Sequence, residues 1–146
     1  MLEYKIVSPT LDNIFELESL RLNAYGVNGN NVSADKTFYS KELVDGKYLV
    51  FGAFIAQKLV GACYVKDTYN SLYIDQLFVQ KEYQRSSKHI GSGLLRYVLE
   101  NKEMVEEYFK VKMDYSYLDD WENTYNFYQG LGYRKSENLM KRRLWL

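Results

Sequence analysis

The stretch Leu72–Leu99, LYIDQLFVQKEYQRSSKHIGSGLLRYVL, decides how the rest of the chain is read. From Leu72 to Val79, β-branched, aromatic and aliphatic residues follow one another almost without a break, the composition of a strand covered on both faces. Ile90, Leu94, Leu95, Val98 and Leu99 then recur at helical spacing, leaving Arg96 and Glu100 for solvent. Between strand and helix lies a polar connector, Gln80–His89, and the helix opens on Gly91-Ser92-Gly93. A strand feeding a helix through such a loop aims several unpaired backbone N–H groups, and the positive end of the helix dipole, at one spot. Such a spot binds phosphate.

Upstream, Tyr4–Val7 reads as a short strand, and Ser8-Pro9-Thr10 supplies N-cap and first-turn chemistry for a helix carrying Ile14, Leu17, Leu20 and Ala24. Tyr25–Asn31 ends that helix in a loop rich in glycine and asparagine. Ser33 can cap a second helix through Val44, with Phe38 and Leu43 on a thin apolar face and Asp45-Gly46 at its end. Tyr48–Ile55 and Leu59–Val65 form an antiparallel hairpin around Ala56-Gln57-Lys58, and Thr68–Ser71 is the next turn.

Downstream, Tyr108–Tyr117 alternates well enough to be a strand. Asp119 and Asp120 suit the start of a last helix, whose buried stripe is Trp121, Tyr125, Tyr128 and Leu131. Gly132 is placed as a left-handed C-terminal residue, and extended chain runs from Tyr133 to Leu146. The order β-α-α-β-β-β-α-β-α-β predicts an α/β (α+β) fold with a mixed sheet and helices on both faces.

The 146 residues are read as a single domain, 1–146, because no repeat, linker or low-complexity tract divides them. Nineteen basic residues balance nineteen acidic ones, so no electrostatic footprint argues for nucleic acid. The opening MLEYKIVS lacks a basic region followed by an apolar core, and no apolar run approaches the roughly 18 residues of a membrane span. The expected compartment is the cytoplasm, with no membrane partner. The single cysteine, Cys63, sits in an apolar run and reads as a small buried hydrophobe, and no residue cluster suggests a metal.

The segments LFVQKEYQRSSKHIGSGLL and NTYNFYQGLGY resemble the two signature regions of the GNAT superfamily of acyl-CoA-dependent N-acetyltransferases. Leu77 and Val79 match the strand end, Gly91-Ser92-Gly93 with Leu94-Leu95 the helix start, and Phe127-Tyr128 with Gly132-Tyr133 the second region. Two departures stand out. The loop is enlarged around Arg85-Ser86-Ser87, and the family's first loop glycine falls on His89, which adopts a left-handed conformation less readily than glycine does.

The resemblance implies a mostly antiparallel central sheet of about six to seven strands with splayed central strands, and acetyl-CoA as the acyl donor. It implies that pantetheine pairs with the backbone of Leu77, Phe78 and Val79. It also implies that N–H groups of Lys88, His89, Ile90, Gly91 and Ser92, together with Gly93 and the charges of Arg85 or Lys88, hold the pyrophosphate. It assigns Tyr128 the role of general acid toward the departing thiolate. A packed tyrosine is the competing reading, since the chain has fifteen of them.

An amine of pKa about 10 needs a base, directly or through water. Asp75, a carboxylate within the buried strand, is the candidate, beside Glu42, Asp114, Tyr73 and Tyr115, and a paired structural carboxylate is its alternative. The acceptor site is expected within Arg21–Asp45, which carries Tyr25, Asp35, Phe38, Tyr39 and Glu42. The expected function is direct acetyl transfer to a primary amine of a small molecule or a peptide N-terminus. The alternatives are a catalytically inactive acyl-CoA-binding or sensing module and a nucleotide-binding regulatory domain. A homodimer is expected, from the family's habit and from the apolar terminus Leu144-Trp145-Leu146.

Overall fold

The protein is described by a computed structural model that covers residues 1–24, 39–84, 89–119 and 124–144. Strands β1 (Leu2–Val7), β2 (Leu49–Ile55), β3 (Lys58–Thr68), β4 (Ser71–Val79), β5 (Tyr115–Leu118), β6 (Arg134–Ser136) and β7 (Leu139–Arg143) form one seven-stranded sheet. Its order is β1-β2-β3-β4-β5-β7-β6. Every neighbouring pair is antiparallel except β4 and β5, which run parallel. Helix α1 spans Ile14–Ala24, α2 is described at 39–44, and α3 (Ile90–Glu100), α4 (Lys102–Phe109) and α5 (Tyr125–Gly130) follow. The expected mixed, mostly antiparallel sheet with helices on both faces is the fold observed.

Two buried layers flank the sheet. Phe51, Val60, Cys63, Leu72 and Ile74 pack beneath Ile90, Leu94, Leu95 and Val98 of α3, with Val105 of α4 in the same cluster. On the opposite face Leu17 and Leu20 of α1 and Leu43 of α2 cover Tyr48, Val50, Ala62, Tyr64 and Phe78. The second layer also holds an ion pair. Arg21 donates through Nε and Nη2 to both oxygens of Glu18 at 3.0 and 3.2 Å, Tyr64 donates to the same carboxylate at 2.9 Å, and both charged residues are buried.

Two hairpin turns use left-handed non-glycine residues, Ala56-Gln57 and Tyr69-Asn70, both pairs with positive φ as a two-residue turn between twisted strands requires. Gly46 (φ +78) ends α2 and Gly132 (φ +94) follows α5, both where the sequence places them. The first helix begins later than expected. The Thr10 hydroxyl accepts the N–H groups of Asp12 and Asn13, so residues 11–13 form a turn and α1 starts at Ile14.

The strand expected over Tyr108–Tyr117 is corrected: Lys102–Phe109 is helix, and only Tyr115–Leu118 joins the sheet. The alternation of YFKVKM misleads because it spans two local structures. Val105 is the buried residue of α4, Lys110 ends the helix in a left-handed conformation, and Met113 is buried on extended chain while its N–H donates to the Glu106 carboxylate at 2.7 Å. The extended chain after Tyr133 is resolved into the β6–β7 hairpin. Of the expected last helix, Asp120 and Trp121 lie outside the described residues, as do Ser33 and Phe38 of the second. Asp119 directly follows β5, and its carboxylate accepts the Tyr73 hydroxyl at 2.9 Å. Among the described residues no helix is long and apolar enough to cross a membrane.

Removing one half of the Glu18–Arg21 pair leaves a buried, uncompensated charge. Arg21→Met is expected to lower stability by about 3–5 kcal/mol. Urea unfolding at neutral pH measures the loss, and a variant as stable as the parent contradicts the expectation.

Candidate active site

The central strand β4 is held on one side only. β3 pairs with it along most of its length, including Cys63↔Leu77, Ala62↔Phe78 and Gly61↔Val79. On the other side β5 reaches only two residues, Leu72↔Ser116 and Tyr73↔Tyr117. Beyond Tyr73 the two strands part, and no strand of the described residues pairs with that edge of β4. Gly61 keeps β3 close at this end, since a Cβ there would come within 2.9 Å of the Phe78 carbonyl oxygen.

A cleft of about 380 Å³ opens where the strands part, lined by Leu77, Phe78 and Val79 of β4, Gly91 of α3, Phe127 and Tyr128 of α5, and Ala24, Gln84 and Thr124. Tyr128 is buried, with its ring against those of Phe127 (5.0 Å between centroids) and Tyr133 (5.7 Å). A strand edge on one wall and a phenol on the other are thus brought together from segments about fifty residues apart.

The start of α3 adjoins this cleft through Gly91. His89 precedes the helix at φ 50, ψ 50, the left-handed conformation that the family's loop glycine at this position implies, at a cost of about 1–2 kcal/mol for a residue with a Cβ. Its side chain makes no capping bond, and its carbonyl accepts the Gly93 N–H at 3.0 Å and the Ser92 hydroxyl at 3.1 Å. The first N–H groups of the helix, at Ile90, Gly91 and Ser92, have no acceptor within it, an arrangement that can receive an anion. Ile90 contributes backbone alone, because its side chain is buried in the core beneath α3. A Cβ at Gly93 would meet the Tyr4 hydroxyl, so a side chain there would require the Tyr4 ring to shift. Arg85 and Lys88 lie outside the described residues.

Asp75 is not part of the cleft wall. The register passes from Tyr64↔Gln76 to Val65↔Ile74, so Asp75 is the extra residue of a β-bulge. The bulge turns Asp75 and Gln76 toward the same face of the sheet. There Tyr48 donates to the Asp75 carboxylate at 2.5 Å and Gln76 donates to the Tyr39 hydroxyl at 2.8 Å. Tyr115 is turned elsewhere, under the Lys141 ammonium at 4.1 Å, and the Asp114 carbonyl accepts the Leu144 N–H. Cys63 is fully buried, and burial pushes its thiol well above the ordinary range, which fits the packing role read from the sequence.

The family described as "Acetyltransferase (GNAT) domain" matches residues 25–144. The chain belongs to the GNAT acetyltransferase family. No curated protein matches it in sequence. Among solved structures it is similar to the PaiA N-acetyltransferase of Thermoplasma acidophilum in complex with coenzyme A, at 17% identity over 97% of this chain and 99% of that one, with a TM-score of 0.70. It is also similar to the ribosomal-protein-S18-alanine N-acetyltransferase of Escherichia coli, at 12% identity over 99% and 96% of the two chains, with a TM-score of 0.74. An aminoglycoside 6'-acetyltransferase type Ii shares 18% identity over 99% and 98%, with a TM-score of 0.71. At such identities the likeness is one of fold.

Several groups of this GNAT domain escaped the sequence reading. Gln84 bridges the Val79 carbonyl (2.8 Å) and the Ala24 carbonyl (3.1 Å), tying the end of β4 to the end of α1 over the cleft. Tyr48 appears in the sequence only as a hairpin residue, and nothing in the linear pattern links it to Asp75, twenty-seven positions away. The bulge that joins them has no signature in a run of apolar residues.

Burial raises the phenols of Tyr48, Tyr73 and Tyr133 above their ordinary value, with the neighbouring carboxylates Asp75 and Asp119 adding to the effect at the first two. A raised pKa in the fold means that the unfolded chain loses these protons first, so their stabilisation is whole below about pH 10 and falls as pH rises beyond it. Urea midpoints measured between about pH 9 and about pH 11 should therefore drop, and less steeply in Tyr133→Phe. A flat profile contradicts this.

Proposed function

We propose that this domain is an acetyl-CoA-dependent N-acetyltransferase that transfers the acetyl group directly to a primary amine of a small molecule or a peptide N-terminus. The observation that carries the reading is the cleft where β4 leaves β5, with an unpaired strand edge, a helix N-terminus and a buried phenol around one space. These features fit the donor: the edge at Leu77–Val79 offers backbone groups to an extended amide-bearing arm, and the start of α3 offers N–H groups to a pyrophosphate. Acetyl-CoA supplies an activated thioester.

The residues of the chain do the rest. Leu77–Val79 orient the arm, while Phe127 and Phe78 exclude water from the reacting centre. Tyr128 holds a proton on its hydroxyl for a thiolate formed beside it. Asp75, fixed by Tyr48, stands on the acceptor face and takes the amine proton through water, because it does not line the cleft itself. That remoteness from the cleft also favours a second reading, an acyl-CoA-binding module without turnover.

One experiment separates the two. Acetyl-CoA should raise the melting temperature by mass action, and a panel of primary amines should release free thiol. In Tyr128→Phe the acetyl-CoA affinity should hold while turnover falls by roughly a hundredfold or more. Binding without thiol release on any amine supports the module. No thermal shift at millimolar acetyl-CoA removes both readings, and turnover within a few-fold of wild type in Tyr128→Phe, with chemistry rate-limiting, makes Tyr128 a packing residue.

The homodimer is part of the same proposal. It rests on the apolar end of the chain, where Leu144 packs on the core and residues 145–146 lie outside the described set. The edge strand β6 is short and carries Arg134 and Lys135, which discourages pairing at that edge. Sedimentation at tens of micromolar should give twice the mass of one chain; the mass of a single chain overturns the dimer.

A further inference from the structure

On the sheet face that carries Tyr48 and Asp75, the ammonium of Lys66 lies over two tyrosine rings, 5.6 Å from the Tyr48 centroid and 5.4 Å from that of Tyr73. Lys66 is in register with Tyr73, and Tyr73 is the last β4 residue that pairs with β5. The cation therefore stands at the root of the splay, one strand away from Asp75. Both distances fall near the outer limit of about 6 Å for attraction between a cation and a ring. The hydroxyls of these rings are turned to carboxylates, Tyr48 to Asp75 and Tyr73 to Asp119. Among the described residues Lys66 forms no ion pair, although Asp75, Asp119 and Glu42 all act on these two phenols.

Lys66 is half-buried, and an ammonium with three donors and no anion among the described residues is a receptor for one. Two charges of opposite sign are thus displayed on one wall, with Asp75 suited to an ammonium and Lys66 to a carboxylate. Resting on the acetyl-transfer reading above, we propose that Lys66 is a specificity-determining residue that selects amines also bearing a carboxylate. Lys66 lies beside the Tyr48 ring, 5.6 Å from its centroid, and the hydroxyl of that ring reaches Asp75, so the ring stands between the two charges. The amine and carboxylate of the acceptor are accordingly separated by several carbon atoms, as in an ω-amino acid.

The test pairs γ-aminobutyrate and ε-aminocaproate with their amides, each assayed by thiol release at saturating acetyl-CoA and by calorimetry on the CoA-saturated protein. In the wild type each acid should exceed its amide at least about tenfold in kcat/KM, mostly through KM, and by a similar factor in affinity. Lys66→Met should bring each acid within about twofold of its amide, while Lys66→Arg keeps the preference. Equal acids and amides in the wild type, or a preference that survives Lys66→Met, overturns the assignment. Should no compound release thiol, the acetyl-transfer reading fails on these acceptors and the calorimetric ratios alone decide the role of Lys66. Absence of binding by either acid overturns it as well.

Discussion

The early parting of β4 from β5 is the constraint on which the rest of this structure depends. Two paired residues are enough to keep β5 in the sheet, and their fewness leaves the end of the central strand with one free edge. Backbone groups at such an edge call for partners. Here the protein answers with a side chain at one point, Gln84 on the Val79 carbonyl, and with a cleft elsewhere. α5 is placed across the gap so that Phe127 and Tyr128 face the strand end.

The two faces of the sheet do different work. Beneath α3 the buried layer is almost wholly apolar, and it locks the helix whose first turn borders the cleft through Gly91. Beneath α1 and α2 the layer is aromatic and polar: Glu18, Arg21 and Tyr64 form one bonded cluster, Arg21 also lies over the Tyr39 ring at 4.6 Å, and Tyr39 accepts from Gln76. Each buried polar group there has a partner, which is the condition under which such a network specifies one arrangement rather than weakening the core. These contacts tie α1 to the bulge of β4 in one network.

Fold and specificity consequently have separate physical origins. The relatives of known structure agree with this chain in architecture at identities of 12–18%, which shows how little of the sequence the architecture needs. What distinguishes one family member from another lies in side chains hung on the common frame. In this chain Tyr48, Lys66, Tyr73 and Asp75 are the side chains proposed for that part, all on the face away from α3.

Much of this was legible in the linear sequence, for physical reasons that act locally. Apolar continuity marked β4, helical periodicity marked α3, and glycines at 46 and 132 marked helix ends because a positive φ is cheap there. At His89 the left-handed conformation was legible only through the family resemblance, which places a loop glycine there. Local pattern failed at Tyr108–Tyr117, where helix end and extended chain together imitate alternation, and at Thr10, where a turn delays the helix. The sequence by itself determined the first strands, the central strand and the helix after it, and their order, but neither α4 nor the division of the last stretch into β6 and β7. Only the tertiary structure decided that Asp75 sits in a bulge bound to Tyr48, that Gln84 closes over Val79, and that Lys66 meets two rings. Those contacts join residues far apart in the chain, through a register slip that no periodicity records.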